Sequence, residues 1–204
     1  MSKPIPLEHG KFYHIYNRGI NRQSIFYEDR NYHYFLKLYM KHVLPIADTF
    51  AYSLLGNHFH FSLRIRTVEE LTGTDDLSGH VLTPRKTHQY FSNMFNAYTR
   101  SFNNAYGRTG ALFERPFERI PVTTKTHLLR LITYIHQNPQ NHGLVEDFRD
   151  WPYSSYGACL TSKPTRVDRE RVLGWFDGPE AFVTAHNTMI SSEEIMVLLA
   201  EDFE

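Results

Sequence analysis

The fold turns on residues 49–65, TFAYSLLGNHFHFSLRI. Thr49–Leu55 is a run of β-formers. Gly56-Asn57 breaks it with two turn-prone residues. His58–Ile65 then alternates polar and apolar side chains, as a strand does when one face is buried. The two runs make either a hairpin or one long strand with a bulge at Gly56, and the pattern alone leaves both open. Side chains at i and i+2 of a strand share a face. His58 and His60 therefore project together, and Phe59, Phe61 and Leu63 project to the other side.

Working outward, Lys11–Arg18 (KFYHIYNR) reads as a strand ending at Gly19. Tyr32, Phe35, Leu36, Tyr39, Met40 and Val43 recur at spacings of three and four, which predicts an amphipathic helix from Asp29, the expected N-cap, to Val43, with Pro45 ending it. Residues 67–87, rich in Thr, Gly, Asp and Pro, read as a loop. Tyr90, Phe91, Met94, Phe95, Tyr98 and Phe102 predict a helix over His88–Tyr106. Leu112–Phe113 and Phe117–Val122 are short strands split by Pro116. Leu128, Leu129, Leu131, Ile132 and Ile135 line a helix over Thr126–Gln137 that Pro139 is expected to stop. Trp151–Leu160 reads as a short helix or turn, and one or two more helices follow Thr161.

Strand, helix, two strands, helix, one or two strands, helix is a split β-α-β order. It predicts an α+β fold with a ferredoxin-like or RNA-recognition-like antiparallel sheet and helices packed on one face. Residues 1–160 carry this pattern. Residues 161–204 form an acidic, helical C-terminal extension.

Of 204 residues, 41% are hydrophobic and 15% aromatic, enough to build a core and to argue against wholesale disorder. The single cysteine, Cys159, excludes an internal disulfide framework and is compatible with a reducing compartment. No apolar run approaches the ~20 residues that span a bilayer, and the first residues lack a signal peptide's pattern. A cytoplasmic location is expected. The zero formal net charge hides an asymmetry. From Ser78 to Gly143 eight Lys or Arg stand against two acids, a net of +6, whereas from Val167 to Glu204 two Arg stand against nine acids, a net of −7. A basic middle can attract phosphates over the ~8–10 Å that salt leaves unscreened.

Two groupings carry chemistry. Two imidazoles on one strand face can share a divalent cation; solvated surface histidines are the plainer reading. The second grouping is Tyr134 in TYIHQNP, with Asn138 one turn on along the same helix face. A free phenol, with a pKa near ~10, is a poor nucleophile, but a nearby metal that polarises a phosphate makes it useful. The amide oxygen of Asn138 then stands where it could supply a third metal ligand. The plainer reading has Tyr134 packing its ring and Asn138 finishing the helix.

These residues resemble the single-tyrosine HUH transposases, named for His-hydrophobic-His, and within them the REP-associated tyrosine transposase branch. The resemblance rests on YNRG at 16–19, GNHFHFSLRI at 56–65, GALFERPF at 110–117, YIHQNPQNHGLV at 134–145 and WPYSSY at 151–156, in order over roughly residues 10–160. It implies that His58 and His60 bind Mg or Mn, and that Tyr134 attacks single-stranded DNA to leave a 5′-phosphotyrosine and a free 3′-OH. A second strand's 3′-OH then reverses the step. Relatives often take a third ligand, commonly Gln, from one turn beyond the tyrosine; Asn138 stands there, with Gln137 at i+3 its rival. The implied substrate is single-stranded DNA with an imperfect hairpin, such as a REP element. Arg18, Arg22, Arg85, Lys86, Arg100, Arg108, Arg115 and Arg119 are the candidate DNA contacts, with Tyr13 and Tyr16 as stacking platforms. Some relatives are homodimers that exchange the tyrosine helix, while the REP-associated branch can act as monomers.

Three other classes compete. A non-catalytic nucleic-acid-binding module predicts no covalent product. A 2H phosphoesterase needs two His-x-Ser/Thr motifs; His60-Phe61-Ser62 is one, and His186-Asn187-Thr188 lies far off in the acidic tail. A structural zinc site wants four soft ligands, which one cysteine does not supply.

Overall fold

A computed structural model describes residues 4–72, 86–191 and 193–195. Its centre is a four-stranded sheet of β1 (Phe12–Arg18), β2 (Ala47–Leu54), β3 (His58–Ile65) and β4 (Glu118–Val122), in the order β2-β3-β1-β4. Every neighbouring pair is antiparallel. β1 and β2 thus run parallel on either side of β3, the split β-α-β arrangement expected from the element order.

Of the two alternatives left open at Gly56, the structure has the hairpin. Leu55 N donates to the His58 carbonyl at 2.8 Å, which closes a hairpin between β2 and β3. A bulge also exists, but in β2, where the register shifts between Thr49 and Ala51. Gly19 ends β1 because a Cβ there would lie 2.0 Å from the Gln23 carbonyl oxygen. Only a residue without a side chain permits that approach.

Two helices cover one face, α1 (Asp29–His42) and α3 (His88–Ala105), separated by the short α2 (Val68–Thr72). α2 occupies the start of the stretch expected to be loop; residues 73–85 lie outside the described residues. Phe59, Phe61, Leu63 and Ile65 are at most 1% exposed beneath α1 and α3. Tyr39 stacks on Phe61 at 4.3 Å, and Phe35 lies 5.0 Å from Phe59. Each such side chain contributes about 1.5–3 kcal/mol by leaving water. The N-cap of α1 is Glu28 rather than Asp29. Its carboxylate accepts from the Asn31 backbone N–H while the Asn31 side chain accepts from the Glu28 N–H, a reciprocal capping box.

The expectation that helices keep to one face holds for α1 and α3 and needs amending for α4 (Lys125–Asn141), which packs on the histidine face of β2 and β3. Its apolar side, Leu128, Leu131, Ile132 and Ile135, needs a second core. It finds one with Phe50, Ala51 and Val122 of the sheet and with Val172, Phe176, Phe182 and Ile190 of the extension. The short α5 (Tyr156–Leu160) precedes the extension, which contributes α6 (Arg169–Trp175) and α7 (Pro179–Ala185).

Pro139 does not stop α4, which runs on to Asn141. Proline removes one backbone hydrogen bond. Here His136, Gln137, Asn138 and Pro139 are all buried, and the Gln137 side chain, donating to backbone carbonyls of the extension, holds the last turns. Leu112–Phe113 forms only an isolated bridge, Gly19 to Phe113, rather than a strand. Among the described residues no helix is long and apolar enough to cross a membrane.

Candidate metal centre and nucleophile

β3 delivers both histidines to the face beneath α4, and β1 delivers His14 and Tyr16 beside them. The rings of His60, His14 and Tyr16 stack, with His60 5.1 Å from His14 and 5.5 Å from Tyr16. Tyr134 hangs from α4 over this face. Its ring centroid lies 5.9 Å from that of His60, edge to face. An open cleft of about 610 Å³ reaches the group, lined by Tyr16, Arg18, Arg22, His58, His60, Tyr134 and His142, among others.

Hydrogen bonds set the protonation of His58. Asn57 Nδ2 donates to the Arg22 carbonyl at 3.2 Å, which orients its amide. Asn57 Oδ1 then faces His58 Nδ1 at 2.6 Å and must accept from it. The proton of the neutral ring is therefore on Nδ1, and Nε2 carries a lone pair. Burial, reinforced by His142, pulls the His58 pKa down to about 4, so the ring is neutral at ordinary pH. His60 is held well below the usual histidine range, first by burial and then by His14, His58 and His142.

Asn138 is wholly buried, and its Oδ1 lies 3.3 Å from His58 Nε2. As the amide is placed, both atoms are acceptors. Asn138 Nδ2 is buried without a partner among the described residues. Two lone pairs turned toward each other at that distance suit a shared cation, and neutral imidazole with amide oxygen is a donor set for borderline to hard divalent metals. A His that binds metal through one nitrogen usually gives its other N–H to an oxygen or similar acceptor, as His58 does to Asn57. Among the described residues no three His, Cys, Asp or Glu side chains converge as a metal cage. The residues fit a site of two imidazoles and one amide oxygen that leaves the remaining positions to water or phosphate.

Gln137, the rival third ligand, is committed elsewhere. Its Nε2 donates to the carbonyls of His186 (3.0 Å) and Thr188 (2.8 Å), and its Oε1 accepts from Ile190 N at 2.9 Å. His136 joins the same anchor. His186 Nδ1 donates to the Phe182 carbonyl at 2.7 Å, so His186 Nε2 accepts from His136 Nδ1 at 2.9 Å. His136 Nε2 then accepts from the Ser155 hydroxyl at 2.8 Å. Burial keeps both rings neutral, with His186 pulled to about 4.

The basic residues separate by position. Arg18, paired with Glu114 at 2.8 Å, and Arg22 line the cleft. Arg115 lines an adjoining cavity with Asn17, Phe95 and Asn96. Lys86 sits at a third cavity with Pro4–Leu7. Arg100 is exposed on α3. Arg108 is engaged by Asn103 and Gln23. Arg119, offered as a DNA contact, is instead buried, its guanidinium 3.8 Å from the Phe117 ring centroid. Arg85 lies outside the described residues. Tyr13 is 2% exposed on the α1–α3 face, away from the cleft, whereas Tyr16 lines it.

Sequence reasoning missed His14 and His142. Strand alternation carried the signal for His14, which shares a face with Tyr16 on a strand that pairs with β3. His142 gave none, since it follows the helix turn that Pro139 was expected to end.

A paired-histidine strand inside a split β-α-β sheet, faced by one tyrosine on a helix, is the arrangement of the HUH single-tyrosine class that the motifs resemble. The likeness reaches the REP-associated branch. A Haemophilus influenzae protein described as a "putative REP-associated tyrosine transposase" is 30% identical over 112 residues. That match covers 53% of this chain and 58% of the relative, less than two thirds of its length. A solved structure of a REP-associated tyrosine transposase bound to a REP hairpin superposes with a TM-score of 0.56 at 19% identity, covering 80% of this chain and 89% of that one. No protein-family model matches the chain.

Proposed function

We propose that this chain is a REP-associated tyrosine transposase, a metal-dependent enzyme that nicks and rejoins single-stranded DNA beside a hairpin. One observation carries the reading: the Tyr134 ring stands 5.9 Å from His60, over the face that also holds His58 and Asn138. His58, His60 and Asn138 would hold Mg or Mn. Bound there, the cation polarises a phosphate and stabilises the charge that builds on it.

The chain's own groups do the rest. Arg18 and Arg22 at the cleft draw in the phosphate backbone, and Tyr16 offers a ring for an unpaired base. Lys86, Arg100 and Arg115 extend the contact toward a hairpin stem. Tyr134 Oη attacks phosphorus as its proton leaves. The bond from phosphorus to the 3′-oxygen breaks, giving a 5′-phosphotyrosine and a free 3′-OH. Attack by another 3′-OH reverses the exchange and releases the phenol. The bond energy stays in the phosphotyrosine, so no nucleotide cofactor is required. Gln137 and His136 keep α4, and Tyr134 with it, in register over the histidines.

Incubation with labelled single-stranded hairpin DNA and Mn tests this. A covalent protein–DNA adduct should appear on a denaturing gel. Tyr134→Phe should abolish it while DNA binding persists. An adduct that survives in the Phe variant would show that another residue is the nucleophile.

A further inference from the structure

His14 hydrogen-bonds a proposed metal ligand, His60, and no motif singled it out. It is 3% exposed, and its Nε2 lies 2.8 Å from His60 Nδ1. One proton sits between these two nitrogens, and either ring can own it. The two choices have opposite consequences. If His14 owns it, neutral His60 carries its hydrogen on Nε2, and that nitrogen has no lone pair to give. If His60 owns it, Nε2 is free to bind a cation.

The other buried histidine pair shows how a protein fixes such a choice. The His136–His186 pair ends on the Phe182 carbonyl, which can only accept, and that single terminus dictates every proton in the chain. The His14–His60 pair has no terminus of this kind. His14 Nδ1 is buried with no hydrogen-bond partner among the described residues. Nothing at the His14 end dictates the order, so the His60 end decides it.

We propose that His14 is the positioning residue for His60: it accepts the His60 Nδ1 proton and so presents Nε2 to the cleft as a ready lone pair. This rests on the metal reading above. It is the arrangement His58 reaches through Asn57, with a ring nitrogen in place of an amide oxygen. Both histidines then have an acceptor behind them, Asn57 from the hairpin turn and His14 from β1. His14 keeps its own proton on Nδ1, in a place where no group takes it. A dry donor is tolerated at a site that needs its neighbour pre-set.

The test measures Mn binding to the full chain by calorimetry, without DNA, in wild type, His14→Phe, His14→Gln and His60→Ala. His14→Phe keeps a ring of similar bulk and removes the acceptor. Mn affinity should fall roughly 10–100-fold, as when other outer partners of metal ligands are lost. His14→Gln restores a carbonyl acceptor and should recover most of it. Wild-type affinity in a folded His14→Phe overturns the assignment and leaves the metal site intact. Absence of Mn binding in wild type overturns the metal reading itself, and this assignment with it. Long-range nitrogen–proton NMR of the wild type reads the tautomer directly and decides the matter even if the Phe variant fails to fold. His60 should show hydrogen on Nδ1; hydrogen on Nε2 overturns the proposal.

Discussion

The two faces of β3 are built from alternate residues of one eight-residue strand, yet they obey different rules. Phe59, Phe61, Leu63 and Ile65 face α1 and α3, where shape and apolar area decide everything. His58 and His60 face α4, where the direction of each proton decides what the group can do. The apolar face is redundant, since its many rings share the burden of packing. The polar face is not redundant, because each nitrogen and amide has one partner or none. Stability should therefore be concentrated on the first face and activity on the second.

Phe59→Ala should do the greatest damage to the fold. Phe59 is fully buried against Phe35, Phe95 and Phe113, and losing such a ring costs about 3–5 kcal/mol, readable as a drop in the urea midpoint. A loss below about 1 kcal/mol would mean that the aromatic core repacks freely. Next in size is Gln137→Leu. It strands the Ile190 N–H and two carbonyls, a penalty of about 1–3 kcal/mol. Limited proteolysis should find the extension cleaved sooner, and equal protection would show that apolar contacts alone hold it.

Acid should loosen the same anchor by a smaller amount. Burial holds folded His186 near pH 4 against an ordinary 6.5. Below 6.5 the unfolded chain takes up a proton that the folded one refuses, so stability present above that pH is lost as pH falls toward 4. The slope is at most about 1.4 kcal/mol per pH unit for one group. Melting temperature should fall between pH 6.5 and 5 and stay nearly level from 7 to 8. The smallest effect on stability belongs to His58→Ala, within about 1 kcal/mol, although the variant should form no Mn-dependent adduct. A large stability loss there would blur the division between the faces.

Much of this was legible in the chain. His58–Ile65 has the bounds its alternation predicts, and α1 and α3 differ from expectation by one residue at an end. Those signals are local: period two, period three to four, and a break at Gly56-Asn57. Tyr134, His58 and Asn138 were singled out from strand and helix spacing, and the structure brings them to one face. What escaped depends on groups distant in sequence. Pro139 inside α4 reads as a stop unless one sees that Gln137 is gripped by residues 186–190. Choosing between Asn138 and Gln137 needs the same information. Arg119 looks like a surface cation until Phe117 is seen beneath it. His14 matters only once β1 is known to lie against β3.

The grip of residues 186–190 on Gln137 bears on how this molecule can be put to use. A minimal version trimmed at the last recognisable motif, near residue 160, would discard all three backbone groups that Gln137 bonds, and with them part of what holds α4 in place. The described part of the extension is therefore scaffold in its backbone and in some of its acids, since Glu194 pairs with Arg130 at 3.0 Å and Asp168 accepts from Arg171 N. A shortened version would have to carry the chain through Ile190.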